Sequence, residues 1–309
     1  MASSSYSSRS FDAVNERVSS VVRKYGDSWV GKLLLIGPAF LVVLGLIVFP
    51  TFILLSYSLN PFVQGSVQPG VTLVHYTKAF LTPLYQTILF RTLKIAAIVT
   101  VIDFVLGFPL AYAAVRKGGL TGKLIVIATL APLTIDLVVR SFGWFVLLNG
   151  SGVVVTTLQW LGLVSQQSPP KLLFNEIGII VGLVHVMLPF MVFPIINVMH
   201  TIPYSLEEAA QNLGANRLTV FTRVLFPLAL PGISAGVLIT FVVSLASYVT
   251  PAMLGGGVKV LPVVITNTFT STSNWPFASA LSIVLVAIAL LVIVGYQRAL
   301  KRMSGVGGV

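Results

Sequence analysis

Residues 202–233 read IPYSLEEAAQNLGANRLTVFTRVLFPLALPGI and join two long charge-free intervals, one running from Glu176 to Glu207 and the other from Arg223 to Lys259. Each interval exceeds the roughly 20 apolar residues a helix needs to cross a bilayer, so the quoted segment reads as a short polar connection between two membrane spans. It carries helical punctuation of its own. Pro203 and Ser205 form a helix-start signal, Leu206, Ala209, Ala210 and Leu213 put small and apolar residues on one side, and Gly214 ends or bends the helix. A second piece, residues 216–225, interleaves Val220, Phe221, Val224 and Leu225 with Arg217 and Arg223, and Pro227 is expected to break it at the membrane. The spacing predicts two short helices joined by a bend. Such a knob can seat in a groove on a partner and pass on rigid-body motion; the same periodicity also fits a structural interfacial loop.

Outward from this segment the chain is apolar throughout: 56% of its 309 residues are hydrophobic and 9% charged, against about 25% charged in soluble domains. The reading is an all-α membrane protein with six transmembrane helices. The first span follows Lys32, the second lies between Lys94 and Arg116, and the third opens after Lys123 and includes Asp136 and Arg140. The fourth occupies the Glu176 to Glu207 interval, and the last two fall near 229–250 and 277–297. Six spans put both termini on one side. That side then holds Arg9, Arg17, Arg23, Lys24, Lys32, Arg116, Lys117, Lys123, Arg217, Arg223, Arg298, Lys301 and Arg302, while the other holds Lys78, Arg91, Lys94, Lys171 and Lys259. Basic residues are retained in the cytoplasm, so both termini are expected there. The net charge of +11 is therefore mostly a topology signal and argues against a nucleic-acid partner.

Other chemistries find little support. With no cysteine there is no disulfide, thiolate nucleophile or cysteine-ligated metal. His75, His185 and His200 are scattered without ligand spacing, so no metal site is expected. The stretch KGGLTGKL near residue 120 imitates a phosphate loop, but Lys117 stands where glycine is needed and Leu124 follows Lys123. No hydrolytic constellation or catalytic residue emerges, and any ATP the system uses must be held by another subunit. At the N-terminus Phe11, Val14, Val18, Val21, Val22, Tyr25 and Trp29 recur at helical spacing, which predicts an amphipathic helix lying in the membrane interface.

Glu208-Ala209-Ala210, then Gly214 after three residues, then Val224-Leu225-Phe226-Pro227 after nine, resembles the EAA signature of permeases in binding-protein-dependent ABC importers. Val224 and Phe226 replace the usual isoleucine and leucine. The resemblance runs from about residue 85 to 299, and LVVRSFGWFVLLNGSGVV, GLVHVMLPFMVFPI and NWPFASA resemble the spermidine/putrescine branch, in particular its first permease subunit. The resemblance implies a type I ABC importer permease fold in the bacterial inner membrane, forming half of a path for a polyamine or related small cationic solute. It also implies the partners: a cytoplasmic ATPase dimer carrying ATP and Mg, a second and different permease subunit, and a periplasmic solute-binding protein, all assembled in membrane lipid. The organisation it suggests is a tail with the amphipathic helix at 1–32, the first span and a periplasmic loop at 33–87, a permease core at 88–299 with the EAA loop at about 203–227, and a short tail at 300–309. Carried over by position, residues 207–214 form the coupling helix, with Glu207, Glu208, Ala209, Ala210, Leu213, Gly214 and Pro227 as the coupling residues.

Ionisable groups within spans are costly and therefore functional candidates. Asp136 and Arg140 are four apart, on one helical face, so they are expected either to neutralise each other or to leave Asp136 facing a cationic solute. Asp103, halfway through the second span, has no local partner and meets either a substrate amine or a charge on a neighbouring helix. Trp144, Ser244, Ser247 and Tyr248 supply an aromatic face and hydroxyls for an ammonium group, or else pack. A self-sufficient secondary transporter relaying protons through Asp103, Asp136 and Arg140 is the rival reading, as is an importer for an opine or amino-acid derivative. Gly178 with Gly182, and Gly232 with Gly236, form small-xxx-small patterns for close helix approach.

Overall fold

The computed structural model describes residues 29–165 and 169–304. The expected N-terminal amphipathic helix, before its last residue Trp29, and residues 305–309 of the C-terminal tail lie outside the described residues. Two units are distinguished, residues 1–57 and 58–309. The first contributes α1, Trp29–Ser58, a 30-residue apolar helix with prolines at 38 and 50.

In the second unit a two-residue hairpin pairs Phe62–Val63 (β1) with Ser66–Val67 (β2), and α2 follows at Val74–Leu81. The 35-residue helix α3, Pro83–Lys117, starts with proline at a position where a missing N–H costs nothing. It ends at Gly118, whose φ of 55° is open to glycine without strain. Next come α4 (Gly119–Thr134), α5 (Leu137–Leu148), α6 (Val153–Trp160) and α7 (Glu176–Thr201). The chain continues through α8 (Ser205–Asn212), α9 (Arg217–Val220), a π-helical turn at Phe221–Leu225, α10 (Phe226–Ala246), α11 (Val249–Leu254), α12 (Leu261–Thr270) and α13 (Trp275–Ser304). Among the described residues six helical stretches are long and apolar enough to cross a membrane: Phe40–Ser58, Pro83–Lys117, Leu137–Trp160, Glu176–Thr201, Arg217–Ala246 and Trp275–Leu300.

Helices α3, α7 and α10 form the core of this unit. Phe108 and Ala111 of α3 pack with Met191, Ile195 and Met199 of α7 and with Ala229 and Ile233 of α10. Nearer the other end, Ile95 and Val99 pack with Ile179, Leu183 and Met187. The glycine patterns are what permit the approach. A Cβ built on Gly236 would fall 2.9 Å from the Met191 carbonyl oxygen, and one on Gly232 would fall 2.7 Å from that of Pro194. Lipid tails are as apolar as the side chains here, so close packing supplies much of the association energy.

The direction of α7 fixes the course of the chain before it. Glu176, in its first turn, pairs with Arg91 (Nε–Oε1 3.2 Å) and Lys94 (Nζ–Oε2 2.5 Å) near the start of α3. Just past its last turn, the Ile202 carbonyl accepts from Arg116 Nη1 at 3.1 Å, near the end of α3. The two helices thus run start beside start, and the intervening chain must return once. That return is α4 followed by α5, 28 residues of helix or about 42 Å. It is complete by Leu148, which lines the same cavity as Lys171 and Asn175 ahead of α7. The expected third span is therefore a broken helix, interrupted at Ile135 and Asp136.

The fifth span also departs from expectation. Pro227 does not break it, because α9, the π turn and α10 run on as 30 consecutive helical residues, Arg217–Ala246. The Phe226 N–H reaches back five residues to the Phe221 carbonyl, and this wider turn accommodates a proline that cannot donate.

Gly236→Val should drive α10 off the Met191 backbone and destabilise the fold by about 1–3 kcal/mol, read as a lower melting temperature of the detergent-solubilised protein. Gly295→Val, where an added Cβ meets nothing within 4 Å, should leave the melting temperature unchanged.

Candidate functional site

At the end of the unit marked by Arg116, α8 and α9 form a hook whose turn is closed by its own backbone. The Gly214 N–H donates to the Gln211 carbonyl at 2.9 Å and the Ala215 N–H to the Ala210 carbonyl at 3.0 Å, with Gly214 at φ 86°. These paired bonds satisfy the last carbonyls of α8 and require the left-handed backbone that glycine adopts without penalty. Asn216 then caps α9, its Oδ1 accepting from the Thr219 N–H at 2.8 Å. The sequence Gly214-Ala215-Asn216 is thus a complete stop-and-restart signal.

One side chain ties the hook to the bundle. Glu207 is 2% exposed; its Oε1 pairs with Arg116 Nε at 2.5 Å and its Oε2 accepts from the Tyr112 hydroxyl at 3.2 Å. Arg116 also lies over the Tyr204 ring at 5.7 Å. Losing one partner of such a buried pair costs about 3–5 kcal/mol, because the other charge is stranded. The remainder of α8 faces outward: Glu208 and Ala209 are exposed, Ala210 is half-buried and Leu213 is 90% exposed. An apolar residue that open, on a hook clamped from behind, is an unpartnered contact point. Of the residues singled out in the sequence, Glu207 braces the hook from inside, and Pro227 sits in the first turn of α10.

At the other end two broken helices meet. Asp136 caps α5, its Oδ1 accepting from the Val138 and Val139 N–H groups at 2.8 and 3.2 Å. Arg140 Nη1 donates to the Pro132 carbonyl in the last turn of α4. The ion pair expected between Asp136 and Arg140 is absent: each side chain is drawn to backbone groups that the break at Ile135 leaves without helical partners. Helix α10 ends at Ala246, with Ser247 extended just past it, and α11 restarts at Val249. The Ser141 and Thr250 hydroxyls, 3.2 Å apart and both buried, tie α5 to α11. Trp144 Nε1 donates to His185 Nδ1 at 3.0 Å, and the indole stands edge-on to the His185 ring of α7. Asp136 and Tyr248 remain exposed and Ser247 half-exposed, so this region gathers Asp136, Arg140, Trp144, Ser247 and Tyr248.

Asp103 and Ser244 are buried, unlike Asp136 and Tyr248. Asp103 is fully buried on α3, about 18 Å along the helix from Arg91 and about 20 Å from Arg116. Neither of its carboxylate oxygens has a hydrogen-bond partner, and the same holds for the hydroxyls of Ser244 and Thr240. The charge expected on a neighbouring helix is missing among the described residues. Sequence reading missed Arg116, Tyr112, His185 and Thr250. Arg116 was visible only as a basic residue at a span end, since its partner is 91 positions away in sequence.

A mostly helical bundle with interrupted spans at one end and a braced helical hook at the other is the architecture of a transport permease. The chain belongs to the family described as binding-protein-dependent transport system inner membrane component, whose model matches residues 1–305. It is therefore a multi-pass membrane component of such a system, not a catalyst in its own right. It is 35% identical over 236 residues to the spermidine/putrescine transport system permease protein PotB of Haemophilus influenzae, covering 76% of this chain and 81% of the relative. The Escherichia coli K12 protein of the same description is 32% identical over 234 residues, 75% of this chain and 84% of that one. The fold matches a chain of a bacterial ABC transporter that imports alginate, with TM-score 0.69, 19% identity and coverage of 93% and 99% of the two chains.

Glu207→Gln and Arg116→Met should each loosen the hook, seen as faster amide exchange over residues 203–215, with a loss of roughly 3–5 kcal/mol in local stability. The double variant Arg116→Met/Glu207→Leu should be less damaging than the sum of the two singles, because neither charge is left alone.

Proposed function

We propose that this chain is the permease subunit forming half of the translocation path of an ATP-driven importer for spermidine, putrescine or a related small cationic solute. The observation that carries the reading is the braced hook: an exposed α8 with Leu213 almost fully bare, held rigidly by the buried Glu207–Arg116 pair, on a chain over a third identical to a spermidine/putrescine permease across three quarters of its length. A rigid hook transmits displacement to the bundle, whereas a loose loop would absorb it.

In this reading the hook faces the cytoplasm, where two ATPase subunits carrying ATP and Mg grip residues 207–214, and both termini lie on that side. Glu208, Ala209 and Leu213 make the contact, and Glu207 passes the movement to α3 through Arg116. A second permease, a different chain, completes the path, and a periplasmic binding protein delivers the solute at the end marked by Glu176. ATP binding turns the cavity outward and hydrolysis resets it, with coupling residing in contacts that differ between the two states.

Interrupted helices are where transporters place their ligand sites. We therefore assign the path to the meeting of the α4–α5 and α10–α11 breaks. Asp136 supplies the negative charge for an amine, Tyr248 a ring face and Ser247 a hydroxyl. Trp144 and Arg140 set the shape of the site. Asp103 and Ser244, both buried, do not touch the solute in this reading.

In proteoliposomes holding the full complex, polyamine-loaded binding protein should stimulate ATP hydrolysis, and stimulation only by a different ligand would discard the polyamine. Glu208→Lys and Leu213→Asp, both on exposed positions, should leave insertion and melting temperature unchanged while abolishing ATPase co-purification and uptake; normal uptake in both would defeat the coupling assignment. Asp136→Asn caps a helix as well as aspartate does, so it should lower spermidine uptake severalfold with the fold intact and the binding protein's own affinity unaltered.

A further inference from the structure

Two cavities meet beneath the hook, and neither has a role in the function proposed above. The first, about 380 Å³, is walled by Phe104, Phe108, Pro109 and Phe226 and is almost wholly apolar. The second, about 450 Å³, is lined mainly by polar groups, among them Gln211, Arg217 and Glu207. Tyr112 and Phe221 line both, so the two adjoin, and together they make an amphipathic groove along α3 and the π turn. The aromatic wall is built as a cluster: Phe108 stands edge-on to Phe221 at 5.1 Å and Phe104 edge-on to Phe226 at 6.4 Å.

The groove has a direction. From Tyr112 to Phe104 is eight residues of α3, about 12 Å of rise, running from the basic rim of Arg116 and Lys117 into the middle of the span. Its polar end therefore lies at the membrane interface and its apolar end in the hydrocarbon layer, the orientation of a lipid in that leaflet. The charge fits as well. Glu207 is neutralised by Arg116, whereas the exposed Arg217 has no carboxylate within ion-pair distance among the described residues. The polar end thus carries one uncompensated positive charge, beside Tyr204 and the Gln211 amide.

We propose that this groove binds one anionic phospholipid, its phosphate on Arg217 with Gln211 and Tyr204 close by, and an acyl chain against the Phe104, Phe108 and Phe226 rings. A guanidinium recognises a phosphate by paired charge-assisted hydrogen bonds, and an acyl chain fills an apolar slot that water would occupy at a cost. A free phosphate anion would use only the polar half. Because Phe221 belongs to the π turn that joins the hook to α10, a lipid in this groove packs against the joint through which the hook moves.

The test uses the complete transporter purified from native membranes and exchanged into phosphatidylcholine nanodiscs doped with phosphatidylglycerol bearing a diazirine on one acyl chain. Illumination should label peptides covering residues 104–112 and 217–226, and phosphatidylglycerol should be retained through detergent washing at about one molecule per permease. Arg217→Gln should lower that retention about fivefold, the effect of one basic residue at an anionic membrane surface. Val105→Trp, placed at the exposed rim of the apolar half, should abolish the acyl labelling while the phosphatidylcholine background is unchanged. Labelling spread evenly over the exposed apolar faces would overturn the proposal, as would equal labelling by a phosphatidylcholine probe. Full competition by soluble glycerol phosphate would assign the polar end to a free anion, and a crosslink from the second permease at these residues would assign the groove to that subunit; either result overturns the lipid.

Discussion

A backbone N–H or C=O left without a partner in hydrocarbon costs several kcal/mol, and this chain carries 17 prolines, each deleting one donor. Almost every distinctive feature of the bundle is an answer to that constraint. Where Pro227 enters the fifth span, the helix widens into a π turn instead of breaking. Where α4 stops at Thr134, Arg140 takes the Pro132 carbonyl and Asp136 supplies the acceptor for the first N–H groups of α5. At the start of α12 the Leu261 N–H is taken by the Thr92 hydroxyl of α3 at 2.9 Å, so even a helix terminus buried between spans has a partner.

These repairs explain why the charged residues within the spans do not pair with one another. A guanidinium and a carboxylate four residues apart on an unbroken helix would meet. The break at Ile135 puts a row of unsatisfied backbone groups beside each of them, and the shortest partners win. The charge is thus used to terminate helices, and Asp136 keeps a carboxylate oxygen free at a helix break. Asp103 has no such backbone work to do, and its buried, unpartnered carboxyl stands out for that reason.

At the opposite end an ion pair is used for rigidity. Glu207 and Arg116 are almost fully enclosed, and they join the hook to the end of α3, which itself packs along α7 and α10. Movement at the hook therefore has a stiff route into the bundle. The Schellman turn at Gly214 and the Asn216 cap hold the hook's own shape, so its exposed face is a preformed surface.

The sequence by itself determined the class of the protein. Charge-free intervals of span length, the Gly214-Ala215-Asn216 punctuation and the small-xxx-small glycines are local signals whose physics acts within a few residues. Each survives into the structure, and the resemblance carried by Glu208, Ala209, Ala210 and Gly214 agrees with the family to which the chain belongs. The tertiary structure alone decided which polar groups meet. Glu207 and Arg116, Trp144 and His185, and Ser141 and Thr250 are separated by 91, 41 and 109 positions, and no periodicity links residues so far apart. It also decided that the third span is interrupted just past Pro132 while the fifth runs on through Pro227. A missing N–H sets the same cost at both prolines, and only the neighbouring groups available to absorb that cost differ.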